Sequence, residues 1–330
     1  MNPAPVIDVH THMLNKEWLA LLEQHGGPSY TLKEVKGGLK AIHLDGAPFM
    51  TPVPNMFDWE ARIANMSKAR VDIAITSLTC PNAFWGSPEV SLKAARVMND
   101  EMARAQTAWP DRIRWFASIP WQHQDLALSE LKRSCDSGAV GVMVLANIAG
   151  KTLTDPMFAN IWKEIDRRGL PVLVHPSAPA GSSELSLHEF QLIAPIGFTF
   201  DTSLAIARCI YDGFFDRYPN LKMIASHGGG ALPYLVGRLD ICWDNIPAAS
   251  AKTLEPPRNY MRRIYVDTVV FRQDVVDMCV SVCGSDNVLY GSDYPHTIGD
   301  MDGCLSRVDA LPDGTRNKVR GWNAQRIFKL

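Results

Sequence analysis

Eight short apolar runs divide the chain, and between most of them the apolar positions repeat with the spacing of an amphipathic helix. The runs predict β-strands at 6–9, 72–77, 114–119, 140–145, 171–174, 222–225, 264–267 and 288–290. Strands that alternate with helices indicate a parallel sheet, and eight of them predict a closed (β/α)8 TIM barrel. A barrel of this kind accommodates all 330 residues as a single domain.

Residues 13–57 interrupt the alternation. They contain paired glycines at 26–27 and 37–38 and several prolines, a pattern typical of loops and short antiparallel strands rather than a barrel helix. Because this insertion follows the first strand, we expect it at the carboxyl end of the barrel, where active sites of such barrels form. We interpret it as a lid over that end, and a decoration without a role is the alternative.

Several predicted strands are followed by potential metal ligands. His10 and His12 are two residues apart, so both side chains leave the same face of the first strand. The fifth, sixth and eighth runs lead to His175, His227 and Asp293. One strand followed by a histidine would indicate only a buried, hydrogen-bonded side chain. Because the strands of a barrel end at one mouth, several such residues are expected to lie close together there. Imidazoles with a carboxylate suit one divalent ion, zinc before manganese or iron. The predicted ligands are His10, His12, His175 and Asp293.

His227 is the candidate general acid–base, because imidazole titrates near neutral pH. Metal ligation and a purely structural role are the alternatives. Three glycines follow it and would let substrate approach the backbone closely.

On the next predicted helix Arg238 is about 100° from Leu239, so the Arg238 side chain lies outside the apolar stripe of that helix.

Composition narrows the classes of partner. The net charge of −2 and the absence of a lysine or arginine run argue against nucleic acid. No leader or membrane-spanning window is expected. Seven cysteines, an odd number without a Cys-x-x-Cys pair, favour free thiols and a cytoplasmic location. Cys279 and Cys283 are one helical turn apart, and we expect them to pack in the core rather than bind metal.

Short motifs along nearly the whole chain add a family resemblance. The motifs are His10-Thr11-His12, Val174-His175-Pro176, Gly197-Phe198 with Asp201-Thr202, His227-Gly228-Gly229-Gly230, Gly237-Arg238-Leu239-Asp240 and Gly291-Ser292-Asp293-Tyr294-Pro295. Together they resemble the metal-dependent amidohydrolase superfamily, and within it the branch of α-amino-β-carboxymuconate-ε-semialdehyde and γ-resorcylate decarboxylases. The resemblance implies non-oxidative decarboxylation of an aromatic or unsaturated carboxylic acid, without an organic cofactor. Hydrolysis of an amide, lactone or carbon–carbon bond needs the same residues and is the alternative, and a catalytically silent barrel is a third reading.

The resemblance also assigns roles. It implies that Asp293 combines ligation with proton transfer, and that Arg238 reaches the neighbouring subunit's site in a homodimer to bind a substrate carboxylate. A surface ion pair is the alternative for Arg238. Relatives with two metals use a carboxylated lysine at the end of the fourth strand, whereas here that strand holds none and Lys151 lies beyond it. A mononuclear site follows.

One departure from the family pattern concerns the substrate. Met50 occupies the place of a second substrate-binding arginine in the insertion. Loss of a bidentate carboxylate clamp indicates a substrate with fewer charges or a more apolar body. Four aromatic residues of the mouth loops would suit a ring or a conjugated chain, although each is equally compatible with the core. They are Phe49, Phe84, Trp85 and Phe198.

Two further polar residues near the motifs are assigned structural roles. We expect His296 to make a structural hydrogen bond, with support of the ligands or substrate binding as the alternative. We expect Asp201 to cap a helix, with a supporting hydrogen bond to the site as the alternative. No chemistry is assigned to His25, His43, His123 and His188.

Overall fold

The predicted apolar runs form the strands of one parallel sheet in the computed structural model, which describes residues 4–35 and 38–330. The described residues form thirteen strands, eight of which belong to this sheet. They are β1 (Ile7–His12), β2 (Tyr30–Val35), β3 (Leu39–Leu44), β4 (Ala47–Met50), β5 (Ile73–Ser77), β6 (Ile113–Ala117), β7 (Gly141–Leu145), β8 (Asn147–Ile148), β9 (Lys151–Thr152), β10 (Pro171–His175), β11 (Lys222–Ala225), β12 (Tyr265–Asp267) and β13 (Val288–Leu289). The large sheet has the order β1-β5-β6-β7-β10-β11-β12-β13.

The described residues form fifteen helices. They are α1 (Lys16–His25), α2 (Trp59–Lys68), α3 (Pro88–Ala108), α4 (Gln124–Asp136), α5 (Ala159–Arg168), α6 (Phe198–Tyr211), α7 (Phe214–Arg217), α8 (Ser226–Gly229), α9 (Leu232–Asn245), α10 (Pro247–Ser250), α11 (Pro257–Met261), α12 (Gln273–Cys283), α13 (Met301–Asp309), α14 (Asp313–Asn317) and α15 (Asn323–Phe328). Short 3₁₀ or π turns lie at Pro54–Phe57, Pro156–Phe158, Glu189–Gln191, Ile193–Gly197 and Lys318–Trp322.

The sheet closes where the chain beyond β13 meets β1. The Val9 amide donates to the Tyr290 carbonyl at 3.0 Å, and Thr11 forms a parallel bridge with Tyr294. Because helices cover the sheet from outside and side chains fill it from inside, strands such as β7 and β10 are buried throughout. The predicted barrel is confirmed. Its carboxyl ends all face one mouth, which sets the position of the site.

The first strand is longer than the pattern predicted. The predicted strand covered residues 6–9, but β1 continues through His10 to His12 because His12 pairs with Ser77 of β5. A register shift separates Asp8 from Thr11. Both histidines are therefore held by strand hydrogen bonding rather than by a loop.

The insertion contains the antiparallel strands expected of it and one helix that was not expected. β2, β3 and β4 form a three-stranded antiparallel sheet. The prediction of no helix here was wrong for α1, where the Asn15 carboxamide accepts from the Glu17 and Trp18 amides and the buried side chains lie on one face. Gly37 of the second glycine pair lies outside the described residues.

The segment Ile193–Tyr211 has the length and mean hydropathy, 1.3, of a membrane span, contrary to expectation. Half of it is buried inside the barrel protein, which accounts for its composition.

Asp201 within this segment is not the helix cap that was predicted, because Gly197 holds that position. The buried Asp201 carboxylate instead accepts from the Ser177 amide at 2.9 Å and from the Asn147 carboxamide at 3.0 Å, which anchors the loop after β10.

The seven cysteines are free thiols, and Cys279 and Cys283 are buried on α12, as predicted.

Candidate metal centre

Strand ends of the barrel bring histidines and an aspartate together at the mouth. The ligand atoms of His10, His175, His227 and Asp293 all lie within 4.8 Å of one another. The fifth side chain, His12, is equally buried, and its Nε2 is 3.3 Å from Asp293 Oδ1. The predicted convergence therefore exists, and it includes His227 as closely as any predicted ligand.

Hydrogen bonds fix which nitrogen of each imidazole faces the centre. His10 Nδ1 lies 2.6 Å from Asp267 Oδ2, His12 Nδ1 lies 3.0 Å from Ser77 Oγ, and His175 Nδ1 donates to the Pro176 carbonyl at 2.9 Å. Each Nε2 is left to point inward, as in histidines that bind metal and are oriented by a second partner.

Several inward-facing atoms are buried without a hydrogen-bond partner among the described residues. They are His10 Nε2, His12 Nε2, His227 Nδ1 and Asp293 Oδ1. Buried polar atoms of this kind are costly unless something binds them. A divalent cation satisfies converging imidazole and carboxylate donors at once, so these residues fit a metal ion.

The electrostatics of the cluster also favour a cation. Burial lowers the pKa of His12 to about 3 and lowers the pKa of His175 well below its usual value, so both keep a free lone pair at neutral pH. Burial also opposes protonation of His10, but the Asp267 carboxylate outweighs it and raises the pKa of His10. Burial would raise the pKa of Asp293, yet the surrounding histidines hold it well below its usual range. Asp293 is therefore a carboxylate.

Asp267 organises two parts of the site and was missed by the sequence interpretation. Besides His10, its carboxylate accepts from the His227 and Gly228 amides, each at 3.0 Å. His227 has a positive φ of 54°, a conformation that costs a residue with a side chain on the order of 1–3 kcal/mol. The Asp267 carboxylate holds this strained turn and so positions the His227 ring, whose Nε2 is 3.7 Å from Asp293 Oδ2.

The glycines after His227 are required by the backbone of this turn. All three have positive φ, and a Cβ at Gly230 would collide with the Thr199 carbonyl oxygen. The expectation that they let substrate approach the main chain closely stays a prediction.

Arg62 is a second residue that sequence reasoning missed. It lies on α2 and is completely buried, with Nη1 donating to Thr11 Oγ1 at 2.7 Å and Nη2 to the His12 carbonyl at 2.5 Å. Its guanidinium also lies 4.7 Å from the centre of the Tyr294 ring. Arg62 thereby fixes the end of β1 against the turn that carries Asp293.

The remaining predicted residues lie in several different settings. His296 makes the expected hydrogen bond, with Nε2 3.1 Å from Thr79 Oγ1, although it also groups with His12 and Asp293. Lys151 is exposed and lies 3.5 Å from the Asp155 carboxylate, in a hairpin beyond β7. Arg238 is exposed on α9.

The aromatic residues of the mouth form a row that starts at a metal-site histidine. The ring centres of His175 and Phe198, of Phe198 and Phe49, and of Phe49 and Tyr30 are each 6.3 Å apart. Met50 ends β4 in the same insertion and is half-buried. Tyr30 and Phe49 of the insertion therefore extend a row of rings from His175, while the role of the insertion as a lid stays a prediction.

Comparison with known proteins identifies the family of the chain. A sequence model of the amidohydrolase family matches residues 7–330. The chain belongs to the amidohydrolase family. The predicted resemblance is thus confirmed, and the curated relatives of this chain include decarboxylases.

Three relatives show the extent of the similarity. The 2-amino-3-carboxymuconate-6-semialdehyde decarboxylase of Dictyostelium discoideum is 30% identical over 98% of this chain and 91% of its own length. The γ-resorcylate decarboxylase of Rhizobium radiobacter is 28% identical over 82% and 87%. The crystal structure of 5-carboxyvanillate decarboxylase from Novosphingobium aromaticivorans, a mutant with bound manganese and a nitrobenzoic acid, has a TM-score of 0.85 at 23% identity, with coverage of 99% and 97%.

Proposed function

We propose that this protein is a metal-dependent carboxy-lyase that removes carbon dioxide from an aromatic or unsaturated carboxylic acid. The observation that carries the proposal is the cluster of inward-facing imidazoles around the Asp293 carboxylate, with buried donor atoms that lack partners. Decarboxylation and hydrolysis would use the same residues, so the site alone does not separate them. The names of the relatives support decarboxylation. Release of carbon dioxide from a hydroxybenzoate by the metal-loaded protein tests it.

Residues of this chain supply the proton chemistry. The bond between the substrate carbon and its carboxylate breaks, carbon dioxide leaves, and the electron pair stays on the carbon, where a ring or conjugated carbonyl delocalises it. His227 Nε2 and Asp293 Oδ2 are 3.7 Å apart. We propose that the proton that forms the new carbon–hydrogen bond comes from the protonated His227 ring, or from Asp293 once that carboxylate has accepted a proton. A bound divalent ion supplies Lewis acidity that anchors substrate oxygens.

We propose zinc as the ion and one ion per chain. Imidazole-rich sites with one carboxylate suit zinc. Imidazole also binds the other first-row divalent metals, and the Novosphingobium relative was crystallised with manganese, so manganese and iron are the competing ions. His10, His12, His175 and Asp293 are the proposed ligands. The free thiols support a reducing, cytoplasmic setting as part of the same proposal.

The substrate-binding role proposed for Arg238 requires a second copy of the chain. Arg238 lies six residues into α9, roughly 9 Å along the axis from its first residue. Tyr234 and Ile241 are 79% and 63% exposed, and at i−4 and i+3 they share its helix face. Large exposed apolar side chains around a guanidinium indicate a surface that a protein covers. We therefore propose a homodimer in which Arg238 reaches the partner's site and binds a substrate carboxylate.

Mixing two inactive variants tests this arrangement. Arg238→Ala and His227→Asn are each expected to be inactive alone, but in a heterodimer one of the two sites receives an intact His227 together with an intact Arg238. Activity should therefore return when subunits exchange, and exchange is checked by co-purification of differently tagged chains. Demonstrated exchange without any return of activity would show that Arg238 does not act across the interface.

A further inference from the structure

A large cavity lies at the mouth of the barrel between the insertion and the loop after β10. Its volume is about 990 Å³. Tyr30 and Asp45 line one side, Glu184 and His188 line the other, and Leu145 lies at the end of β7. A buried space of about 150 Å³ already holds a benzene ring. The cavity therefore exceeds what one ring requires and leaves room for a bulky group beyond it.

The cavity begins beside the metal centre. Ser177, two residues after His175, lines it, and Leu145 pairs with His175 in the sheet. The aromatic row from His175 ends at Tyr30, which also lines the cavity. The direction from His175 toward Tyr30 is therefore the one in which a substrate held at the metal centre by its leaving carboxylate would reach the cavity with its far end.

The charges around the cavity are one-sided. Among the described residues that line it are the carboxylates of Asp45 and Glu184 and the imidazole of His188, with no lysine or arginine. Asp45 and Glu184 are both solvent-exposed, and a carboxylate placed near them would be repelled by two like charges with no lysine or arginine in the described lining to bind it. Arg238 of the same chain belongs to α9, which does not line this cavity. We assign the partner's Arg238 to the substrate carboxylate at the metal centre, so that it adds no cation to the far end of the cavity.

We infer that the substrate is an acid with a single carboxylate whose far end is bulky and uncharged, and that Asp45 and Glu184 exclude acids with a second carboxylate. This inference rests on the proposed decarboxylation and specifies its substrate class. Hydroxyl and backbone groups of the lining, such as Ser182 and Ser183, are suited to hydrogen-bond a neutral amide, ether or hydroxyl.

Matched pairs of probes test the charge preference on the metal-loaded protein. The probes are 2-hydroxybenzoates that carry either a carbamoyl group or a carboxylate at ring position 4 or 5, since these two groups have nearly the same shape. For at least one position we expect kcat/KM to be about tenfold or more higher for the carbamoyl probe, because the carboxylate probe carries the same charge as Asp45 and Glu184. Equal or better turnover of the carboxylate probe at both positions would overturn the inference.

Variants of residues that line the cavity test whether its charge causes the preference for the carbamoyl probes. Glu184→Gln should reduce the carbamoyl preference several-fold, and Ser183→Lys should reverse it, because each removes or opposes a negative charge. Glu189→Gln on the same loop does not line the cavity and should leave the ratio unchanged. An unchanged ratio in both cavity variants would contradict the role given to these charges.

Binding separates this inference from the proposed reaction. If no probe releases carbon dioxide, the decarboxylase proposal fails, while calorimetric titration of the same pairs still measures whether the cavity prefers the carbamoyl group. If the carboxylate probes bind as tightly, or if neither kind binds, the inference fails whatever the reaction.

Discussion

Replacing His10 and His12 together by alanine is expected to remove the metal ion and reduce activity to background. Both Nε2 atoms face the centre and lack any other partner among the described residues, while Nδ1 of each ring is held by Asp267 or Ser77. Alanine at both positions leaves too few imidazoles to hold a divalent cation. Elemental analysis should show one ion per chain in the unmodified protein and none in the variant.

Thermal unfolding gives a readout independent of activity. Added zinc should raise the melting temperature of the metal-depleted parent protein, because an ion that binds only the folded state stabilises it, and should not raise that of the double variant. A matched control replaces His25 and His123, which have no role in the site, by alanine. Retention of the ion after loss of His10 and His12, or two ions per chain in the parent, would contradict the assignment.

The His227→Asn variant is expected to keep its metal and lose turnover by roughly 10²-fold or more, the usual scale for a lost acid–base group. The asparagine side chain can hydrogen-bond but cannot transfer a proton at neutral pH. Asp267 binds the main-chain amide at this position, so the turn should survive the substitution. Turnover and metal content are measured on the same sample.

Three outcomes distinguish the roles of His227. Retained metal with slow turnover supports the acid–base assignment. Loss of the ion would make His227 a ligand, in keeping with its place within 4.8 Å of the other ligand atoms. Near-normal turnover would remove it from the chemistry. The same substitution at His123, in the loop before α4, is the matched control and should change neither quantity.

The barrel and the residues at its mouth were predictable because two signals coincide. Buried parallel strands are continuous apolar runs, and the residue that ends each run lies at the mouth. His10, His175 and His227 satisfy both conditions, so they could be placed together without knowledge of any contact.

Residues whose roles depend on distant contacts were not predictable. Asp267 also ends a predicted strand, but its function comes from His10, 257 residues away, and from the strained turn at His227. Arg62 has the pattern of an exposed helical arginine, and only the fold shows that the His12 carbonyl and Thr11 receive its donors. Helix α1 had a readable cap at Asn15, but the glycines and prolines that follow it dominated the pattern.

The cavity was beyond sequence reasoning for a related reason. Its walls come from several segments far apart in the chain, and Asp45 and Glu184 lie on different ones, so the sign of the cavity's charge is set only in the folded protein. Met50 was the one indication in the sequence of a substrate with fewer charges, since it lacks the positive charge that would bind a second carboxylate.

Product analysis in isotopically labelled water tests the central proposal most directly. The metal-loaded protein is incubated with 2-hydroxybenzoate, 2,6-dihydroxybenzoate and the carbamoyl probes in deuterium oxide enriched in oxygen-18. Decarboxylation predicts one carbon dioxide per molecule of substrate, one deuterium at the carbon that lost it, and no labelled oxygen in a new carboxylic product. Incorporation of labelled oxygen into a carboxylic product without release of carbon dioxide would establish hydrolysis and contradict the proposed function.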